Sequence, residues 1–172
     1  ADSYVLGGLG YSDNRKPLGA AAKRRCRHCH FPPIHLLHRL IVDGEMSSPA
    51  IDKYYTSVQK IRDYGGSGKE TAIRSAFYTL LNHYAEKKDL ILITELSVEG
   101  KLGRKVTPDG TLKNALRLDY GYWESKDEAD DIDEEIEKKF KKGYPDRNIL
   151  FEDSQTAVLI QEGREVQRVS FK

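Results

Sequence analysis

The first predicted helix follows from apolar residues that recur every three or four positions. Ile51, Tyr55 and Val58 fall on one face of a helix. The dipeptide Ser48-Pro49 is typical of a helix start, because a serine side chain can cap the first turn and a proline at the first helical position loses no hydrogen bond. Gly65-Gly66 would end this helix.

A second helix is predicted to begin at Ser67. Ser67 and Glu70 have the spacing of a capping box. One apolar stripe follows, made of Ile73, Phe77, Leu80, Leu81 and Tyr84. The segment Gly66-Ser67-Gly68-Lys69 is not a phosphate-binding P-loop, because Asp63 stands where the first glycine is required and Glu70 stands where a magnesium ligand is required.

Runs of branched and aromatic residues predict the strands. Leu90–Val98 favours a central strand, and shorter runs predict strands at residues 104–107, 120–126, 148–151, 156–161 and 165–171. Residues 111–118 have mixed polarity and are interpreted as a linker. A third helix is indicated by Ile132, Ile136 and Phe140 at four-residue intervals, with acids before it, lysines at its end and a glycine after it.

Composition restricts the class of protein. The 172 residues suit one domain, and 38% hydrophobic with 32% charged residues is typical of a soluble globular chain. The apolar runs of the strand-rich part, such as Leu90–Ile93, are too short to cross a membrane. The net charge of +1 is uneven: residues 1–45 carry seven Lys/Arg against four Asp/Glu, and residues 46–172 carry 21 against 23. A nucleic-acid partner would therefore be held by local basic patches.

The first 45 residues differ from the rest. They are basic and rich in Gly, Ala and His, and Met46 resembles a protein start, so we expect residues 1–45 to be a poorly ordered leader or tail and residues 46–172 to be the folded domain. Cys26 and Cys29 have zinc-ligand spacing near several histidines, although incidental residues in a tail are the favoured interpretation. Residues 46–172 contain no cysteine, which favours a cytoplasmic location.

The candidate chemistry lies at Asp109 and at Glu124-Ser125-Lys126. In a strand over residues 120–126, Glu124 and Lys126 would share one face, with Cα atoms about 6–7 Å apart. Asp109 and Glu124, with the Ser125 backbone carbonyl, are suitable ligands for Mg²⁺, and Lys126 could contact an attacking water or a phosphate. Taken singly, Asp109 is also an ordinary turn residue and Glu124–Lys126 an ordinary surface ion pair.

These residues carry a family resemblance. Pro108-Asp109 and Glu124-Ser125-Lys126 resemble the signature of PD-(D/E)xK nucleases. The wider pattern GYWESKD, GYP, NILFEDS and AVLIQ resembles the N-terminal nuclease region of fused type II or type ISP restriction endonuclease–N6-adenine DNA methyltransferases, over roughly Ser48 to Phe171. The resemblance implies an α/β (α+β) fold with a restriction-endonuclease-like core, in which helices flank a central mixed sheet in the order αβββαβ.

The resemblance also implies a function. It implies a Mg²⁺-dependent endonuclease (with Mn²⁺ as a substitute) that acts on double-stranded DNA in a restriction–modification system, with Asp109, Glu124 and Lys126 as catalytic residues and a dimer for double-strand cutting. Nucleases of this kind often have an acid on the preceding helix, here Glu70, whose alternative role is as the capping partner of Ser67.

Other parts of the resembled proteins have no counterpart in the chain. The methyltransferase and target-recognition regions follow the nuclease, and the chain ends at Lys172, so we expect a fragment or a detached subunit. Candidate phosphate contacts, which could equally be solvated surface residues, are Lys101, Arg104, Lys105, Lys113 and Arg117. The alternative function is a non-catalytic nucleic-acid-binding or interaction module of the same fold.

Overall fold

The protein is described by a computed structural model, which covers residues 49–65 and 70–171, with the side chain of Glu70 excepted. The predicted leader at residues 1–45, the caps Ser48 and Ser67 and the zinc-like pair Cys26 and Cys29 lie outside these residues. None of the helices within the described part is long and apolar enough to cross a membrane.

The described residues contain three α-helices and eight strands. The helices are α1 (Pro49–Gly65), α2 (Glu70–Glu86) and α3 (Ile132–Lys142). The strands are β1 (Ile91–Thr94), β2 (Val98–Glu99), β3 (Lys105–Val106), β4 (Gly110–Lys113), β5 (Asp119–Ser125), β6 (Asn148–Glu152), β7 (Thr156–Gln161) and β8 (Arg164–Ser170).

Six of the strands form one mixed sheet. Their order across the sheet is β1-β4-β5-β6-β7-β8, with β5 and β6 parallel and the other neighbours antiparallel. A separate hairpin is formed by β2 and β3. Along the chain, α2, β1, β4, β5, α3 and β6 give the order αβββαβ. The predicted α+β fold class, with helices flanking a central mixed sheet, is therefore confirmed.

The two faces of the sheet bury two apolar clusters. Strand alternation sends successive residues to opposite faces, so Leu150 packs with one cluster while Ile149 and Phe151 pack with the other. The first cluster joins α1 and α2 to the sheet and contains Phe77 stacked against Trp123, with ring centroids 5.6 Å apart. The second joins α3 and the β2–β3 hairpin to the opposite face.

Helix α3 has the boundaries expected from its sequence. The Asp131 side chain accepts hydrogen bonds from the backbone N–H groups of Asp133 and Glu134, which caps the first turn. Gly143 ends the helix with φ of 99°, a left-handed conformation that glycine adopts without strain from a side chain. This helix covers the face of β5 that carries Glu124.

Two strand predictions were wrong. Leu90–Val98 is not one strand: β1 ends at Thr94, Glu95 has a positive φ of 51°, and the chain then enters the hairpin. The second strand of the sheet is β4, which overlaps the first residues of the predicted linker at 111–118, whereas β3 pairs only with β2. Strand β4 has only four residues and contains no apolar run, so its composition did not indicate a strand.

Candidate active site

Asp109 lies immediately before β4. Because Gly110 pairs with Trp123 on β5, the ladder places Asp109 beside the end of β5. One carboxylate oxygen, Oδ2, accepts a hydrogen bond of 2.9 Å from the backbone N–H of Ser125. The other, Oδ1, lies 2.6 Å from the Arg74 guanidinium on α2. Both oxygens are therefore held in place by groups that stabilise the ionised carboxylate.

Glu124 is a buried acid, with 3% of the residue exposed. Its Oε1 accepts a hydrogen bond of 3.1 Å from Lys126 Nζ and also contacts Lys139 Nζ from α3. Its Oε2 is buried and has no hydrogen-bond partner among the described residues. A buried oxygen without a donor is costly, so a further cation at Oε2 would stabilise this carboxylate.

Lys126 connects Glu124 to α3. Its ammonium lies 3.5 Å from Glu135 Oε2, and its side chain is only 12% exposed. Its backbone N–H donates to the Glu152 carbonyl at 2.7 Å, which extends the β5–β6 ladder by one bond. The structure thus brings Asp109, Glu124 and Lys126 together at the end of β5, and their catalytic roles stay predictions.

Lys139 and Tyr144 belong to the same cluster and were missed in the sequence. Lys139 Nζ lies 3.1 Å from the Tyr144 hydroxyl and 4.6 Å from the centre of its ring. That hydroxyl donates to the Thr107 carbonyl at 3.0 Å. Burial, followed by the charges of Glu124 and Asp109, raises the pKa of Tyr144 to about 12, so the phenol stays protonated near both carboxylates.

Glu152 is a second buried carboxyl next to the cluster. Its register partner is Ser125, whose hydroxyl donates to Glu152 Oε1 at 2.7 Å, and the Ser154 N–H donates to Oε2 at 3.0 Å. Complete burial raises the pKa of Glu152 to about 7, although these two donors act in the opposite direction. The sequence could have indicated that Glu152 is a buried acid, because this residue directly follows the apolar run of β6.

Three of the five candidate phosphate contacts already have partners within the protein. Lys101 forms an ion pair with Asp146, and Lys113 forms one with Asp119. Arg104 donates to a backbone carbonyl on α3 at 3.3 Å. Lys105 and Arg117 are exposed. Glu70 begins α2, but its side chain lies outside the described residues, so its predicted role in metal binding stays a prediction.

Asp109 and Glu124 supply carboxylate oxygens, the ligand type that hard divalent cations take. In the part of the chain that the structure describes, no three His, Cys, Asp or Glu side chains converge as a metal site. Mg²⁺, however, is usually bound by one or two carboxylates and keeps several waters. The buried Oε2 of Glu124, which has no donor among the described residues, is a ligand of this type, and each Asp109 oxygen retains a lone pair beside its present hydrogen bond.

Comparison with known proteins agrees with the fold. The sheet and its flanking helices are consistent with the restriction-endonuclease-like class of α+β domains. A cryoEM structure of a DrdV–DNA complex contains a similar region, with 51% sequence identity and a TM-score of 0.67. The similarity covers 70% of this chain and 12% of the DrdV chain, so the protein spans a small part of that neighbour's length. No family model and no curated protein matches the chain.

Proposed function

We propose that the domain is a metal-dependent DNA endonuclease of a restriction–modification system, acting on double-stranded DNA in the cytoplasm. One observation carries the proposal. The Asp109 carboxylate accepts a hydrogen bond from the Ser125 N–H at the end of one central strand. On either side of Ser125, Lys126 donates to Oε1 of Glu124, and Oε2 of Glu124 has no donor among the described residues. The 51% identity to a protein solved with DNA supports DNA as the substrate.

The proposed reaction is hydrolysis of a phosphodiester. Mg²⁺, or Mn²⁺ in its place, would supply a water of lowered pKa and neutralise charge on the phosphate. Asp109 and Glu124 would hold the ion, with the Ser125 carbonyl as a further ligand. Arg74 and the Ser125 N–H fix the Asp109 carboxylate before the ion arrives. Lys126, positioned by Glu124 and Glu135, would orient the attacking water or contact the scissile phosphate.

The test is plasmid cleavage by the 172-residue chain with Mg²⁺ or Mn²⁺ and with EDTA. Lys126→Ala and Asp109→Asn are each expected to reduce cleavage at least 100-fold, because each removes a group that acts on the reacting atoms. Lys141→Ala is the matched control, since this lysine on α3 is exposed and pairs only with Glu137 in the described contacts. Equal cleavage by the wild type and Lys126→Ala would contradict the proposal.

The alternative function is a non-catalytic DNA-binding module of the same fold. The contact between Lys139 and Glu124 favours it, because an ammonium already neutralises a proposed metal ligand. Salt-dependent DNA binding without cleavage, unchanged by Asp109→Asn, would support this alternative. For the nuclease we further propose that methylation and target recognition reside in regions beyond this chain, and that two copies meet to cut both strands.

A further inference from the structure

The charges of the cluster balance without a metal ion. Each of its ionic side chains is less than one third exposed. Among the described side chains that are this little exposed there are three acids and three cations, namely Asp109, Glu124, Glu135, Arg74, Lys126 and Lys139, and the more exposed Lys138 adds a further cation beside Glu135. A divalent cation added to this balanced set would leave an excess positive charge in a poorly solvated place. Repulsion there is stronger than in water.

Of the three cations, Lys139 could leave the cluster at the lowest cost. Its ammonium shares Oε1 of Glu124 with Lys126, so that oxygen would keep a donor if Lys139 moved. Lys139 also has a second partner, because it contacts the Tyr144 hydroxyl and lies over the ring. A cation over an aromatic face remains stabilised while it is partly dehydrated. Tyr144 would therefore still hold Lys139 if its contact with Glu124 were lost.

We propose that Lys139 is an internal counter-ion of the metal site, which holds Glu124 in the absence of metal and makes binding of the divalent cation depend on DNA. Backbone phosphates supply the negative charge that compensates the added ion, and Lys139 then leaves Glu124 while it keeps Tyr144 or joins a phosphate. Lys139 is thus a positioning residue that acts through Glu124. This inference rests on the nuclease function proposed above.

The experiment measures the dissociation constant of Mn²⁺ by electron paramagnetic resonance, with and without a short DNA duplex. For the wild type, we expect DNA to tighten Mn²⁺ binding at least tenfold. For Lys139→Met, we expect Mn²⁺ to bind at least tenfold more tightly than to the wild type when DNA is absent, so that the DNA effect largely disappears. Lys139→Arg and the exposed-site control Lys141→Met should retain the wild-type dependence on DNA.

Thermal unfolding provides a second measurement. Lys139→Met removes one partner of a buried ion pair and should lower the melting temperature of the metal-free protein, and Mn²⁺ should restore it. If Lys139→Met does not fold, Lys139→Gln replaces it, because glutamine can still donate to Tyr144. The comparison of the wild type with and without DNA requires no variant at all.

The outcomes separate this inference from the proposed function. DNA cleavage by a wild type that binds Mn²⁺ equally well with and without DNA would overturn the counter-ion role and leave the nuclease intact. Unchanged or weaker DNA-free binding by the folded Lys139→Met or Lys139→Gln variant would do the same. Absence of both cleavage and Mn²⁺ binding in every preparation would overturn the nuclease function, and the counter-ion role with it.

Discussion

Glu152→Gln should change how the stability of the protein depends on pH. Glu152 is completely buried beside Ser125, and burial raises its pKa from 4.5 to about 7. The nearby charge of Asp153 acts in the same direction, whereas the Ser125 hydroxyl and the Ser154 N–H favour the charged form. The buried Tyr54 phenol also lies close, and burial followed by the charge of Glu152 raises the Tyr54 pKa, so Tyr54 stays neutral.

The sign of the effect follows from proton binding. Between about pH 4.5 and pH 7 the folded protein keeps a proton on Glu152 that the unfolded chain has released, so the free energy of unfolding falls as the pH rises. A pKa difference of about 2.5 corresponds to roughly 3 kcal/mol. This stabilisation is fully present below about pH 4.5 and is lost as the pH passes through about 7.

The assay is urea unfolding of the 172-residue chain at pH 5, 6, 7 and 8. Glutamine at position 152 can still accept from the Ser125 hydroxyl, but its amide nitrogen cannot accept from the Ser154 N–H. That loss is the same at every pH. The stability of the variant relative to the wild type should therefore rise by about 2 to 3 kcal/mol between pH 5 and pH 8.

A control and a contrary result complete the experiment. Glu162→Gln changes an exposed acid whose ion pair with Arg147 is long, at 3.8 Å, so its stability should run parallel to that of the wild type. If Glu152→Gln and the wild type show the same change in unfolding free energy from pH 5 to pH 8, burial does not raise the pKa of Glu152.

Three further substitutions test the packing and the site. Phe77→Ala should lower the unfolding free energy by about 3–5 kcal/mol in urea, because this ring is 1% exposed in the core; a loss below 1 kcal/mol would contradict it. Arg74→Met should slow plasmid cleavage about 10- to 100-fold by releasing the Asp109 carboxylate, and an unchanged rate would rule out that role. Gly100→Ala should cost about 1–3 kcal/mol in thermal or urea unfolding, because its Cβ would lie 2.1 Å from the Gly143 carbonyl oxygen; wild-type stability would show that the hairpin moves freely.

Much of the local structure could be predicted from the sequence. The helical spacing of Ile51, Tyr55 and Val58 identified α1 as a helix, although Tyr54 is buried beside Val58 and Tyr55 is exposed. Ile132 and Ile136 identified α3 together with its buried face. Alternation along β5 likewise separated Trp123, in the cluster below α1 and α2, from Tyr122, which packs on the other face. Such patterns depend only on backbone geometry.

The neighbours of the candidate site could not be predicted in this way. Lys139 looked like one of several lysines that complement a helix dipole, and only the docking of α3 on β5 places it against Glu124. Arg74 carried no signal in the sequence, because only the packing of α2 against the β4–β5 ladder brings it within 2.6 Å of Asp109. Both contacts join segments more than ten residues apart.

The chain by itself therefore determined where the helices and most of the strands form and which face of β5 carries Glu124 and Lys126. The tertiary structure decided which strands pair, that the run after Leu90 splits between the sheet and a hairpin, and which cations neutralise the buried acids. The physical reason is that periodicity records a residue's orientation on its own element. The charge balance at Glu124 is set by side chains that meet only when distant elements pack together.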